Sequence, residues 1–468
     1  MAFVFYDTET TGTHLHFDQI LQFAAILTTD DLVVVDRFEI RSRLLPHVVA
    51  SPGAMNLTGV SVAQLHDPAY PSQYEMACRI HQKLTAWEPA QFIGHNSIEF
   101  DEVLLRSAFY KSLLPVYLTN TNGNSRLDTL KMLRLASIYE PGTIHFPLNP
   151  NGQPSFKLDQ LAPANGFNHA NAHEAMSDVE ATIFMCRKLR EDAPETWSRF
   201  MRFSNKNAVL DFCDSEDAFG LTEFYFGKPY TYLLHRIGAN PEDANEIIAF
   251  DLSNDPDEFA GYSDDDLQIQ IGRSPKAVRR FRANALPGLV EGDDAHPNSR
   301  AKETDFDEIE DRARRLSQND ALKARLTAAY LASKTEYDVS PHVEENLYAD
   351  FPSDTDKQRM LAFHDADWAD RYAIACQFED PRYRELGERI LFADAPDSLP
   401  QNRRRFWRQH VADRLLGTGP ACEALTLTSA IQQADDLLPN LQGKRQLLLR
   451  AHRDRLVAQL QELQMQAT

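Results

Sequence analysis

Cysteine is scarce and scattered. The 468-residue chain has five, Cys78, Cys186, Cys213, Cys376 and Cys422, an odd number with no C-x-x-C pair among them. That pattern indicates neither a disulfide framework nor a zinc site, and it suits a reducing compartment. Long apolar runs are also missing. None approaches the roughly 18 residues that a bilayer-crossing helix needs, and the opening Met1 to Tyr6 stretch meets an acid at Asp7. No membrane span and no signal peptide are predicted, and the cytoplasm is the expected location. Internal repeats and low-complexity tracts are absent as well. Positive charge is in deficit, with 48 Lys and Arg against 69 Asp and Glu, a net charge of -21. An acidic chain repels phosphates at long range, so composition alone argues against a nucleic-acid partner. The deficit is uneven, however. Residues 1–190 hold 19 acids and 14 bases, a net of -5, and the remainder carries -16.

What is present is ordinary globular material: 43% hydrophobic and 25% charged residues, enough for sizeable cores. At roughly 150 residues per domain the length predicts about three domains. The boundaries are placed at 1–192, 193–342 and 343–468. In the first segment, Ala2–Glu9, Gln22–Leu27 and Leu32–Ile40 read as strands of a meander and Gln91–His95 as a short buried strand. Helices are expected over Asp101–Lys111, over Leu127–Ser137 and from near Ala175, where Met176, Val179, Ile183, Cys186 and Leu189 form an apolar stripe. This is an α/β alternation around a mixed sheet. The middle segment mixes β-like stretches (Glu223–Phe226, Tyr230–Leu234, Ile247–Leu252, Leu267–Ile271) with acid-rich loops at Ser263-Asp264-Asp265-Asp266 and Glu291-Gly292-Asp293-Asp294, and predicts a small β-rich domain. Beyond Pro341 helical periodicity dominates, over Leu361–Gln377, Pro381–Phe392, Asn402–Leu416, Cys422–Leu438 and Lys444–Leu463.

The chemistry starts at Asp7-Thr8-Glu9-Thr10-Thr11-Gly12. Residues two apart on a strand share a face, so Asp7 and Glu9 project side by side, and two such carboxylates need a cation or a shared proton. Gly12 permits a tight turn that leaves both acids at the strand end. Alone, an Asp-x-Glu is a common solvated strand end. Two further motifs follow. In His95-Asn96-Ser97-Ile98-Glu99-Phe100-Asp101 a strand runs into a polar turn, and Asp101 opens a helix where a carboxylate is favoured by the dipole. In His173-Glu174-Ala175-Met176-Ser177-Asp178 the five-residue gap turns about 500° on a helix, so His173 is placed ahead of the helix and Asp178 in its first turn.

With Asp7, Glu9, Asp101 and Asp178, and His173 five residues before the last, the sequence resembles the DEDDh exonucleases of the ribonuclease H-like superfamily. Within that group the whole chain is similar to the bacterial exodeoxyribonuclease I family, through Gly123-Asn124-Ser125-Arg126, Pro154-Ser155-Phe156-Lys157-Leu158, Ala164-Asn165-Gly166 with Asn171-Ala172-His173, and Leu347-Tyr348-Ala349-Asp350-Phe351 with Ser353-Asp354. The resemblance implies a ribonuclease H-like exonuclease domain of mixed sheet and flanking helices, then an SH3-like β-rich domain and an α-helical C-terminal domain. It implies 3′→5′ degradation of single-stranded DNA to 5′-mononucleotides in repair and recombination, by a monomer. Phosphodiester hydrolysis needs an activated water and charge neutralisation on both the attacking and leaving oxygens, work that two cations about 4 Å apart can do. Two Mg2+ ions are expected, with Mn2+ as a plausible substitute. Asp7 would bridge them, Glu9 and Asp178 would complete the site of the ion carrying the attacking water, Asp101 would support the second, and His173 would take the proton. By the same resemblance Arg106, Tyr117, Arg134 and Phe156 contact single-stranded DNA, with Glu9 and Lys157 near the terminal nucleotide. Lys157 stands where well-known relatives have arginine, and Thr11 where some have an aromatic residue.

Two basic stretches remain. Arg273 to Arg282 carries five positive residues and no acid, and reads as either a solvated helix face or a DNA-path surface. In the family a groove nearby receives the acidic C-terminal tail of single-stranded DNA-binding protein, which makes that protein an expected partner. The second stretch, Arg403-Arg404-Arg405 with Phe406, Trp407 and Arg408, fits a helix that closes around the strand or one that is merely solvated. A DEDDh ribonuclease or proofreading-type trimmer uses the same five residues; the long remainder after residue 192 favours the DNA enzyme. A non-catalytic single-stranded nucleic-acid-binding protein is the competing reading from another class.

Overall fold

The computed structural model describes residues 2–168, 173–335 and 339–467. The chain divides into two compact units, one formed by Met1–Asn124, His169–Glu180 and Asp338–Thr468, the other by Ser125–Asn168 and Ala181–Tyr337.

In the first unit, β1 (Ala2–Thr10), β2 (Ile20–Thr28), β3 (Val34–Arg41) and β4 (Ala90–Gly94) lie in the order β3-β2-β1-β4. β1 pairs antiparallel with β2, placing Asp7 opposite Ala24 and Glu9 opposite Gln22, and parallel with β4, placing Val4 beside Phe92. The sheet is mixed, as the alternation predicts. Strand alternation sorts the side chains of β1 onto two faces. Val4 and Tyr6 of the even face share one core with Phe92 and with Leu104, Leu105 and Ala108 of the Asp101–Lys111 helix. Phe3 and Phe5 of the odd face lie with ring centroids 6.2 Å apart and are buried as well. Large aromatics on both faces hold the strand in register, because truncating one leaves a cavity that costs about 3–5 kcal/mol.

The C-terminal helices of this unit pack on a second core, where Tyr110 and Leu113 meet Phe363, Phe378, Leu386 and Trp407. The helix expected over Leu361–Gln377 is instead two, Asp354–Asp365 and Arg371–Ala375. The one expected from Cys422 starts at Leu427, after Thr426 caps the N–H of Ser429. Among the described residues no helix is long and apolar enough to cross a membrane.

In the second unit, the short strand β5 (Ser125–Asp128) leads into the Thr129–Tyr139 helix, whose first N–H groups are capped by Asp128. β6 (Phe219–Tyr225), β7 (Lys228–Asn240), β8 (Asp243–Asp251), β9 (Val278–Arg282) and β10 (Leu289–Glu291) form an antiparallel sheet in the order β10-β6-β7-β8-β9 around Phe212, Phe219, Leu234, Ile247 and Phe281.

Three expectations for this region need correction. Leu267–Ile271 is part of a helix, Asp264–Gly272, in which the two apolar residues are buried four positions apart. The acid-rich Ser263-Asp264-Asp265-Asp266 stretch is that helix's cap and first turn, where a serine oxygen satisfies an N–H and acids favour the dipole. The Arg273–Arg282 stretch contains no helix, because Val278–Arg282 is the outer strand β9, in which Val278 and Phe281 are buried. The segment also carries the helices Pro194–Phe203, Lys206–Ser215, Phe306–Ser317 and Asp320–Ala332, the last two capped by Asp305 and Asn319.

Candidate active site

β1 delivers Asp7 and Glu9 from its odd face, and the first turn of the Ala175–Asp192 helix delivers Asp178. Their carboxylate oxygens lie within 4.8 Å of one another, a donor set that fits a hard divalent cation. Electrostatics point the same way. Burial, and then the charges of Asp101, Asp178 and Glu9, push the Asp7 carboxyl well above its ordinary range. Burial followed by Asp178 and Asp101 raises Glu9 to about 8. Three acids crowded out of water repel one another, and a bound cation relieves that repulsion.

Asp101 arrives differently. It opens its helix at 4% exposure on the side of the even face, and its Oδ1 accepts from the Thr8 N–H at 3.0 Å and from the Thr8 hydroxyl at 2.5 Å. It is not one of the three clustered acids, although its charge is the largest acting on Asp7.

His173 stands just ahead of the Ala175–Asp192 helix, as the spacing predicts. Its φ is +67°, and its N–H donates to Asp178 Oδ2 at 3.2 Å. Beside it, Glu174 faces Arg41 of β3 at 3.6 Å. Asn171 and Ala172 of the same motif lie outside the described residues. Gly12 lies in a bend just after β1, and it also clears space there. A Cβ there would meet the Asp18 carboxylate at 2.5–2.8 Å, and that carboxylate accepts from Thr11 Oγ1 and the His14 N–H, both at 2.7 Å. The glycine makes room for this clasp.

The expected DNA contacts fall into two groups. In the first unit the Arg106 guanidinium lies 5.0 Å from the Tyr117 ring, pairs with Glu102 and reaches Asn120 at 3.1 Å. Phe351, 71% exposed, stands 5.7 Å from Tyr117. In the second unit Arg134 lies over Phe156 and Phe224, at 6.0 and 5.3 Å, and the two rings are 5.8 Å apart. Lys157 is exposed and takes the cap position of the Leu158–Ala164 helix without a side-chain cap bond. Sequence reading missed the contact of Thr8 with Asp101, the place of Phe224 beside Phe156 and that of Phe351 beside Tyr117. Phe351 was legible within Leu347-Tyr348-Ala349-Asp350-Phe351, but nothing local marks Phe224.

A mixed sheet with a carboxylate cluster at the end of its first strand, and a histidine tied to that cluster, defines an exonuclease domain of the ribonuclease H-like kind. The exonuclease family model matches residues 4–185, and the model of the exonuclease I C-terminal domain matches residues 341–455. The chain thus pairs an exonuclease domain with an exonuclease I C-terminal domain. It is 26% identical to exodeoxyribonuclease I of Escherichia coli strain K12, over 87% of this chain and 89% of that protein. It is 31% identical to that of Buchnera aphidicola from Acyrthosiphon pisum, over 54% and 62% of the two chains. Among solved structures, E. coli exonuclease I in complex with a dA16 oligonucleotide has a TM-score of 0.84 at 24% identity, with 99% of each chain covered. A moderately thermophilic exonuclease I from Methylocaldum szegediense also reaches 0.84, at 23% identity, with 98% and 99% covered.

Proposed function

We propose that this protein is a magnesium-dependent exodeoxyribonuclease that releases 5′-mononucleotides from the 3′ end of single-stranded DNA. The observation that carries the proposal is the convergence of Asp7, Glu9 and Asp178 within 4.8 Å, with the His173 backbone bonded to Asp178. Asp7, Glu9 and Asp178 would hold one metal ion, and Asp101 would support a second. When bound, the ions lower the pKa of the attacking water and neutralise charge on the attacking and leaving oxygens. His173 accepts the proton of the attacking water, a task suited to an imidazole near neutral pH. Because the cations cancel phosphate charge at the cleavage point, the chain needs few lysines there despite its net charge of -21.

Away from the reacting phosphate, Arg106 with Tyr117 and Phe351, and Arg134 with Phe156 and Phe224, suit unpaired DNA, since guanidinium groups hold phosphates and rings stack on bases. Lys157 and Glu9 are assigned to the terminal nucleotide. We assign the five-stranded antiparallel sheet to an SH3-like domain at 193–342, between an exonuclease domain at 1–192 and a helical domain at 343–468. A monomeric, cytoplasmic enzyme that receives the acidic tail of single-stranded DNA-binding protein completes the proposal. The test is product analysis on matched 5′-labelled and 3′-labelled single-stranded DNA, duplex DNA and RNA, with and without Mg2+. Mononucleotides released from the 3′ end of single-stranded DNA only with Mg2+ are expected. DNA left intact under every condition overturns the proposal.

A further inference from the structure

Thr8 sits between the two acids of the Asp7-Thr8-Glu9 motif, and strand alternation turns its side chain to the opposite face of β1. That is the face on which the Asp101–Lys111 helix packs through Leu104, Leu105 and Ala108. The tertiary packing therefore brings together residues 93 positions apart. The Thr8 N–H and hydroxyl both donate to the same oxygen, Asp101 Oδ1, at 3.0 and 2.5 Å, and both residues are buried.

We propose that Thr8 is a positioning residue for the nuclease reaction: its hydroxyl fixes the Asp101 carboxylate in the orientation from which it supports the second metal. Two donors from one residue onto a single oxygen define the plane and direction of a carboxylate that otherwise rotates about two torsions. Both bonds fall on Oδ1. Partners that orient a ligating carboxylate typically contribute 10–100-fold to metal affinity. The backbone N–H is available from any residue at position 8, so the hydroxyl is the part specific to this side chain. Asp7 and Glu9 thus bind from one face of the strand while the residue between them organises the fourth acid from the other.

The inference rests on the two-metal reading, and the two fail differently. Full-length wild type, Thr8→Val, Thr8→Ala and Thr8→Ser are compared in two assays. These are calorimetric titration with Mn2+ alone, and single-stranded DNA cleavage across a range of Mg2+ concentrations. Valine keeps the shape and the N–H but lacks the hydroxyl; alanine serves if valine disturbs folding, which circular dichroism reports. For Thr8→Val and Thr8→Ala the weaker Mn2+ binding step is expected to fall by about 10–100-fold and the half-saturating Mg2+ concentration to rise by a similar factor, with KM for DNA unchanged. Thr8→Ser should restore both. A folded Thr8→Val or Thr8→Ala protein with wild-type Mn2+ binding, or a Thr8→Ser protein as impaired as Thr8→Val, overturns the proposal. Wild-type cleavage that needs no divalent ion overturns the underlying two-metal reading instead.

Discussion

The backbone N–H of His173 donates to Asp178 Oδ2 at 3.2 Å, so the residue assigned as base and an acid of the metal cluster are joined by a single bond across the start of one helix. His173 holds a φ of +67°, a region that most side chains avoid and that Asn and His tolerate better. The loop conformation and this bond therefore support each other.

Replacing the imidazole separates chemistry from conformation. His173→Asn retains tolerance for the left-handed backbone, and His173→Ala does not. Both should lose about 10²–10⁴ in kcat, as expected for a missing general base. The melting temperature should drop more for alanine than for asparagine. Mononucleotide release and calorimetry check this, and near-wild-type kcat in either variant contradicts the role.

The carboxylate cluster makes stability depend on metal. Burial and mutual repulsion disfavour the ionised acids, and a cation reverses that. Mg2+ at 100 times its dissociation constant should stabilise the folded state by about 2.7 kcal/mol. Asp7→Asn should abolish both cleavage and this metal-induced shift in melting temperature while raising the melting temperature in chelator. Full activity in Asp7→Asn refutes the site.

A pH dependence follows for the metal-free protein. The Glu9 carboxyl is raised from its ordinary 4.5 to about 8 by burial and then by Asp178 and Asp101. Between those values the folded state binds a proton that the unfolded state does not, so this group's unfavourable contribution is absent below about pH 4.5 and grows as pH rises toward 8. Glu9→Gln in chelator should therefore melt higher than wild type at pH 8, and the gain should vanish by pH 4.5. A gain independent of pH would rule out this assignment.

Ring stacking can be tested without chemistry. Phe351→Ala and Phe156→Ala should each weaken binding of a single-stranded oligonucleotide in Ca2+ by about 1–3 kcal/mol. The kcat at saturating DNA should be largely retained. Fluorescence anisotropy reads the affinity, and unchanged binding in both variants removes these rings from the DNA path.

Glu344 anchors the helical part of the first unit. It is 2% exposed and accepts from Arg389 at 2.6 Å and Arg414 at 2.7 Å. Burial opposes its charge, but Arg389, Arg414 and Lys111 outweigh that and hold the carboxyl well below its ordinary range. Glu344→Gln leaves buried guanidinium groups short of a counter-charge and should cost about 3–5 kcal/mol at pH 7. The loss should shrink as acid neutralises the wild-type carboxyl. Chemical denaturation at pH 7 and at a pH below the ordinary 4.5 measures it.

Local patterns were sufficient where the physics is local. The β1 alternation placed Asp7 and Glu9 on one face, and the 3.6-residue period placed His173 before a helix and Asp178 in its first turn. The same reasoning failed where two periods fit a short stretch. Leu267 and Ile271 suit a strand or one helical turn, and only the Ser263 cap and burial on one side decide for the helix. The basic stretch ending at Arg282 likewise became a strand because β8 supplies its ladder partners.

By itself, then, the sequence determined that Asp7 and Glu9 share a face, that His173 precedes a helix carrying Asp178 in its first turn, and that the sheet is mixed, because strand and helix periodicity set which side chains lie together. It could not decide which distant groups meet. That Thr8 grips Asp101 across 93 residues, that Phe351 stands beside Tyr117, and that Gly12 yields space to the Asp18 carboxylate are outcomes of packing. Such contacts depend on how whole faces dock, and no short window of sequence carries that information.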